Sequence, residues 1–190
     1  PRNQILLSNP VNNNNDNPRI FLKSILKPLK GLEAVFEYTF DKNIYDYHWY
    51  TGQYDYTTIQ GGSSKSFVDD YLRKYKQHTN YNAINVYATY SKKFGDHNFK
   101  VMAGFNQESS YQETLDAYSY NQAVIDVPAM GSGTGTIKAT DSYSEYAVRG
   151  GFFRVNYNYQ DKYLLEVNGR YDGSSKFPKS SRFGFFPSVS

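Results

Sequence analysis

The sequence contains no cysteine, which excludes a disulfide framework, a thiolate nucleophile and a thiolate metal site. No run approaches the roughly 18 consecutive apolar residues that a transmembrane helix requires. That does not exclude a membrane-spanning strand, which needs only about 9–11 alternating residues. Charge of one sign is also lacking. Lys and Arg total 21 against 18 Asp and Glu, for a net charge of +3, and no basic run exceeds two residues. Such balance argues against a nucleic-acid partner. The chain opens at Pro1 without Met or signal peptide, from which we expect a processed chain or a fragment.

Catalytic and metal-binding patterns are equally scarce. His48, His78 and His97 are scattered and have no i, i+4 partner, so no metal site is expected. Asp69 and Asp70 have no calcium-ligand loop around them. Gly131-Ser-Gly-Thr-Gly135 lacks the Gly-Lys-Ser/Thr and the helix of a phosphate loop, and reads as a flexible loop. Glu33 and Glu37 could suggest a glycosidase pair. On a strand they lie on one face about 13 Å apart, too far for either glycosidase geometry. No Gly-x-Ser-x-Gly elbow occurs. The sequence therefore predicts no enzyme and no cofactor.

Aromatic residues are abundant. They make up 18% of the chain, with 20 Tyr and 13 Phe, although the mean hydropathy is −0.71. They fall into strand patterns, because side chains alternate between the two faces of a strand. Ala34, Phe36, Tyr38 and Phe40 alternate with Val35, Glu37, Thr39 and Asp41, in a strand running to about Tyr50. Ile84–Tyr90, Phe99–Phe105, Gly151–Tyr159 and Tyr163–Tyr171 repeat the pattern, the second extending to about Tyr111. A strand is also expected over Arg19–Pro28, and another begins at Phe185 and runs to Ser190. Short turns fall at 28–31, 95–97 and 160–162. Longer connections fall at 51–79, 112–143 and 173–184, with a short helix expected at Phe67–Tyr75. Residues 8–18 are rich in Asn between prolines and read as a loop.

Alternating short and long connections characterise up-and-down outer-membrane barrels. The fold class expected is all-β: a transmembrane antiparallel barrel, here a partial barrel of about seven strands. Hydrocarbon cannot satisfy backbone N–H and C=O groups, so a sheet in a bilayer must close on itself. Phe99, Val101, Ala103 and Phe105 would face lipid, and Glu166, Asn168, Arg170 and Asp172 a polar lumen. The 173–184 loop would be extracellular, opposite the Asp161 turn. The alternative is a secreted, aromatic-rich β-sandwich that binds glycans.

Tyr45, Tyr47, Trp49, Tyr50, Tyr54 and Tyr56 cluster at one strand end, and Tyr111, Tyr118 and Tyr120 occupy an equivalent place. They could form an interfacial girdle or stacking platforms for ligand. Trp49, Tyr50, Tyr54, Tyr56, Tyr118 and Tyr120, with lumen-facing Arg170 and Asp172, are the candidate ligand-binding residues.

The run FRVNYNYQDKYLLEVNGRYDGSSKF (153–177), followed by RFGFFPSVS (182–190), closely resembles the SusC/RagA family of TonB-dependent outer-membrane transporters. KFGDHNFKVMAGF (93–105) resembles the family's mid-barrel hairpin, and PLKGL (28–32) with its following strand is similar to an earlier one. Departures are Phe177-Pro178, where Phe-Gly is usual, and Phe183, where Trp is common. The resemblance implies that residues 1–190 are one segment of a twenty-two-stranded barrel domain in a Gram-negative outer membrane. Plug, TonB box and barrel C-terminus would lie outside it. It also implies a SusD-like surface lipoprotein as lid, the TonB complex as energy source, the lipid bilayer as surroundings, and oligosaccharides or peptides as cargo.

Overall fold

The computed structural model describes residues 12–52, 55–57, 60–65 and 70–190. Among the described residues, ten strands occur in chain order. They are β1 (Asn12–Asp16), β2 (Arg19–Leu29), β3 (Leu32–Thr51), β4 (Asp55–Thr57), β5 (Ser63–Lys65), β6 (Tyr71–Phe94), β7 (His97–Tyr120), β8 (Ile137–Tyr159), β9 (Tyr163–Ser174) and β10 (Phe183–Val189). Eight form one sheet in the order β1-β3-β6-β7-β8-β9-β10, with β2 also paired to β3. β4 and β5 form a separate two-stranded ribbon. The pairs β1–β3, β2–β3, β4–β5, β8–β9 and β9–β10 are antiparallel, with Val155 opposite Val167 between β8 and β9 and Phe185 opposite Tyr171 between β10 and β9.

The chain divides into two compact units. The second unit comprises residues 18–42, 80–111 and 145–190 and carries the short turns. Gly31 takes φ +87°, and a Cβ there would lie 2.3 Å from the Ser91 carbonyl oxygen, so only glycine fits. Gly95 (φ 56°) serves β6–β7, and Gln160 and Asp161 (φ 53° and 56°) serve β8–β9.

Exposure in this unit is inverted relative to a water-soluble sheet. Along β7, Phe99, Val101 and Phe105 are 41%, 41% and 43% exposed, while Asn98, Met102, Gly104 and Asn106 on the other face are half-buried. Phe36, Val86 and Phe153 are exposed in the same way. A water-soluble sandwich would bury that apolar face against a second sheet. The structure therefore does not favour the sandwich.

The side chains of the polar face engage one another. Lys23 pairs with Glu37 at 2.8 Å and Lys27 with Glu33 at 3.2 Å. Arg19 pairs with Asp41. The Tyr81 hydroxyl donates to Glu108 at 2.7 Å, and Arg154 Nε donates to Asn168 at 2.7 Å. Glu33 and Glu37 are thus each held by a lysine rather than by one another. Glycine makes room for rings on the opposite face. A Cβ on Gly169 would lie 2.4 Å from the Phe153 ring and 3.1 Å from Phe185.

The first unit comprises residues 1–17, 43–79 and 112–144, and here several expectations fail. Asn12–Asp16 is a strand, not a loop. It pairs with Ile44–His48, and its amides are satisfied laterally: Asn43 donates to Asn15 at 3.0 Å and Asn14 to Asp16 at 2.8 Å. Tyr71–Tyr75 is strand rather than helix, because alternate residues find partners on β3 and β7. Phe67–Asp69 lie outside the described residues. β7 runs on to Tyr120 and β8 starts at Ile137, so the excursion expected at 112–143 shrinks to 121–136.

That excursion is not a free loop. It folds back onto a face of the first unit that buries Tyr50, Leu72, Ala117 and Ser119. Gln122, 6% exposed, anchors it. Its amide donates to the Ser119 carbonyl at 3.0 Å, and its side-chain oxygen accepts from Ala129 N at 3.1 Å and from Ser132 Oγ at 2.7 Å. The glycine-rich stretch lies in this lock. Thr134 N donates to the Asn121 carbonyl and Gly135 N to that of Tyr120.

Candidate ligand-facing site

The first unit's other face carries a dense grouping of aromatic and charged side chains. Alternate residues of three strands converge on it: Tyr45, Tyr47 and Trp49 from β3, Tyr71, Arg73 and Tyr75 from β6, and Asp116, Tyr118 and Tyr120 from β7. Strand periodicity puts every second residue on one side, and Arg73 is the centre. Its Nε and Nη2 donate to the two Asp116 carboxylate oxygens, both at 2.9 Å. The guanidinium also sits 5.3 Å from the Tyr118 ring centroid, 5.8 Å from Tyr47 and 5.9 Å from Tyr75. A planar guanidinium suits this double role of bidentate partner and stacking cation.

Around that centre the rings support one another. Tyr47 and Trp49 lie 5.9 Å apart, Tyr45 meets Tyr75 edge-on at 6.0 Å, and Tyr118 stacks with Tyr120 at 6.5 Å. Tyr71 touches both Tyr118 and Tyr120. Trp49 Nε1 donates to Thr51 Oγ1 at 2.7 Å, which fixes the indole. All nine side chains are half-buried. The result is a rigid wall of partly open rings around a neutralised ion pair.

The electrostatics follow from this geometry. The hydrogen-bonded Asp116 raises the Arg73 pKa above its ordinary value, so the guanidinium stays charged. Burial raises the Tyr47 and Tyr118 phenols, against a smaller lowering effect of Arg73, so both rings are neutral and can donate hydrogen bonds. With Arg73 already paired, the wall offers π-faces and hydroxyls rather than net charge. That chemistry suits stacking against neutral, hydroxyl- or amide-bearing ligands.

The candidate residues from the sequence separate accordingly. Trp49, Tyr118 and Tyr120 belong to the wall. Tyr50 does not: it is 8% exposed on the opposite face, where burial pushes its phenol up to about 12 with Asp70 adding to the effect. Tyr54 lies outside the described residues, and only the backbone of Tyr56 is described, within β4. Arg170 and Asp172 belong to the second unit and neutralise each other through two hydrogen bonds of 2.9 Å. Arg170 also donates to Asn106 at 3.3 Å and covers the Phe152 ring at 5.4 Å. They are part of that unit's polar ladder. Sequence reasoning missed Arg73 and Asp116. The alternation Tyr71-x-Arg73-x-Tyr75 was the available signal, hidden by reading that stretch as helix. Among the described residues no His, Asp or Glu cluster could hold a metal.

Comparison with known proteins gives this arrangement a setting. No protein-family profile matches the chain. TonB-dependent receptor P3 of Formosa agariphila is 31% identical over 139 residues, which is 72% of this chain and 14% of that protein. TonB-dependent receptor SusC of Bacteroides thetaiotaomicron is 29% identical over 123 residues, 62% of this chain and 11% of that protein. The chain thus spans a small fraction of the curated relatives it matches. The fold superposes on the RagAB peptide transporter with a TM-score of 0.84 at 17% identity, over 97% of this chain and 20% of that one. The ferric preacinetobactin receptor BauA of Acinetobacter baumannii gives 0.58 at 12% identity, over 94% and 28%. The fold is therefore that of a segment of a TonB-dependent receptor barrel. Within that class, the chain is a SusC/RagA-like barrel segment.

Proposed function

We propose that this chain forms part of the barrel wall of an outer-membrane, TonB-dependent nutrient importer. The observation that carries the reading is the inverted exposure of the second unit. Exposed Phe36, Val86, Phe99, Val101, Phe105 and Phe153 form a surface suited to hydrocarbon, backed by a polar face of ion pairs suited to a wet lumen. The strands extend well past the length a bilayer needs: β6 and β7 have 24 residues each against about 9–11. We assign the Arg73–Asp116 wall of the first unit to the extracellular mouth, facing cargo.

The likeness to SusC and to the RagAB transporter supports a SusD-like lipoprotein as lid and TonB-driven uptake of oligosaccharides or peptides by the whole transporter. This segment's role is transport, not catalysis. The test uses the full-length parent transporter in its own host. It should fractionate with the outer membrane, co-purify with a surface lipoprotein, and lose uptake of its nutrient when the Tyr47, Trp49 and Tyr118 rings are all replaced by Ala. Normal uptake by that triple variant at wild-type abundance would remove the wall from the transport path.

A further inference from the structure

The second unit presents a built cation on its apolar face. Arg149 of β8 registers with Gly173 of β9, and Gly173 registers with Phe183 of β10. These three residues form one rung. The middle residue is glycine for a steric reason: a Cβ there would lie 2.3 Å from the Phe183 ring. The ring therefore lies across Gly173 and reaches the guanidinium, whose centre is 5.4 Å from its centroid. Tyr171 stacks on Phe183 from the next rung, at 5.3 Å and 12° between planes. Among the described residues Arg149 has no ion pair and no side-chain hydrogen bond, so all its donors are free. Every other arginine whose side chain makes polar contacts here is turned to a carboxylate or carbonyl partner.

The position of this rung matters as much as its chemistry. By strand alternation Arg149 shares its face with Gly151, Phe153, Val155 and Tyr157, the apolar face described above. Tyr157 belongs to a ring cluster beside the short turns, 4.8 Å from Phe99 and hydrogen-bonded through its hydroxyl to His97 at 2.8 Å. From Tyr157 to Arg149 is eight residues, about 27 Å along the strand. At a tilt of 35–45° that is about 21 Å across a membrane, and an arginine that extends toward water spans most of the remainder of a roughly 25 Å apolar band. Two aromatic belts thus bracket the apolar face, and the upper one holds an unpaired guanidinium at headgroup height.

We infer that the Arg149·Gly173·Phe183 rung is a binding site for the phosphate of an anionic lipid in the outer leaflet. The guanidinium fork matches phosphate geometry, and Phe183 with Tyr171 fixes its orientation. The inference rests on the proposed membrane placement of this face. The test uses the full-length parent in phosphatidylglycerol–phosphatidylcholine nanodiscs, with bimane on Gly151→Cys, where an added Cβ would meet only the Gly104 carbonyl oxygen, at an ordinary contact distance of 3.9 Å. Quenching by brominated phosphatidylglycerol should exceed that by brominated phosphatidylcholine. Arg149→Gln should reduce this preference about fivefold, the effect of roughly one cation at an anionic surface. Phe183→Leu, which keeps the charge and frees the guanidinium, should reduce it in part and serves if Arg149→Gln fails to assemble. Quenching without any lipid preference, or a preference unchanged in both variants, would overturn the site alone. Absence of quenching by either lipid at Gly151→Cys and at Phe153→Cys would overturn the membrane placement with it.

Discussion

Replacing Arg73 by Gln tests whether the ligand-facing wall is held by one residue. The substitution removes a bidentate pair with Asp116 and three ring contacts. The two side chains are 35% and 28% exposed, so the pair is partly screened and contributes about 1 kcal/mol, the upper end of the exposed range, because its geometry is bidentate. The ring contacts add about 0.5 kcal/mol each at such exposure. Because the groups share one centre their effects overlap, and the expected loss is about 2 kcal/mol, felt in the first unit. That corresponds to about a 30-fold change in a local opening equilibrium. Amide hydrogen exchange of the full-length parent is the assay. Protection at Tyr71–Tyr75 and Asp116–Tyr120 should fall by that factor while β8–β9 pairing, whose registered stretch lies in the second unit, is unchanged. Unchanged protection at Tyr71–Tyr75 would refute the claim that Arg73 organises the wall.

Gln122→Ala should release the 121–136 segment, since four hydrogen bonds to Ser119, Ala129 and Ser132 end on that amide; proteolysis within 123–131 should accelerate at least tenfold. Tyr50 sets a pH dependence. Its phenol ionises near 12 in the folded chain against about 10 when unfolded, so between those values the folded state binds more protons. Stability of the first unit should therefore fall as pH rises from about 10 toward 12, and Tyr50→Phe should flatten that part of the profile measured by tyrosine absorbance and near-ultraviolet dichroism. Phe105→Arg places a charge on the apolar face at a cost of about 2–4 kcal/mol if it lies near mid-bilayer; heat-modifiability on gels should report reduced barrel assembly, whereas Asn106→Arg on the polar face should assemble normally. Gly169→Val, which drives a side chain into Phe153 and Phe185, should cost about 1–3 kcal/mol and lower the thermal midpoint of the parent barrel.

Much of the second unit was legible because its signals are local. The alternation at Phe99–Phe105 and Tyr163–Tyr171, and the glycines at 31 and 95, report strand and turn from neighbouring residues alone. The first unit depends on distant partners. Asn12–Asp16 has poor strand propensity and forms a strand because β3 offers it an edge and Asn43 caps its amides. Tyr71–Tyr75 lies among Lys, Arg and Asp, a mixture also compatible with a short helix, and only Asp116, 43 residues from Arg73, decides the matter. The site was half visible for the same reason. Aromatic clustering pointed to Trp49, Tyr118 and Tyr120, while the ion pair that binds them into one wall is a long-range contact. Arg170 and Asp172 look like ligand residues in sequence, yet each is the other's partner.

The central claim is that the exposed apolar face meets lipid and the opposite face meets water. The absence of cysteine in this segment makes a direct measurement possible in the full-length parent, in outer membranes, with single cysteines at the adjacent positions Phe105 and Asn106 and any cysteine elsewhere in the parent removed. A water-soluble maleimide should label Asn106→Cys and leave Phe105→Cys unmodified, and a bimane at Phe105→Cys should be quenched by brominated lipid. Ready aqueous labelling of Phe105→Cys, with no quenching by lipid, would contradict the account.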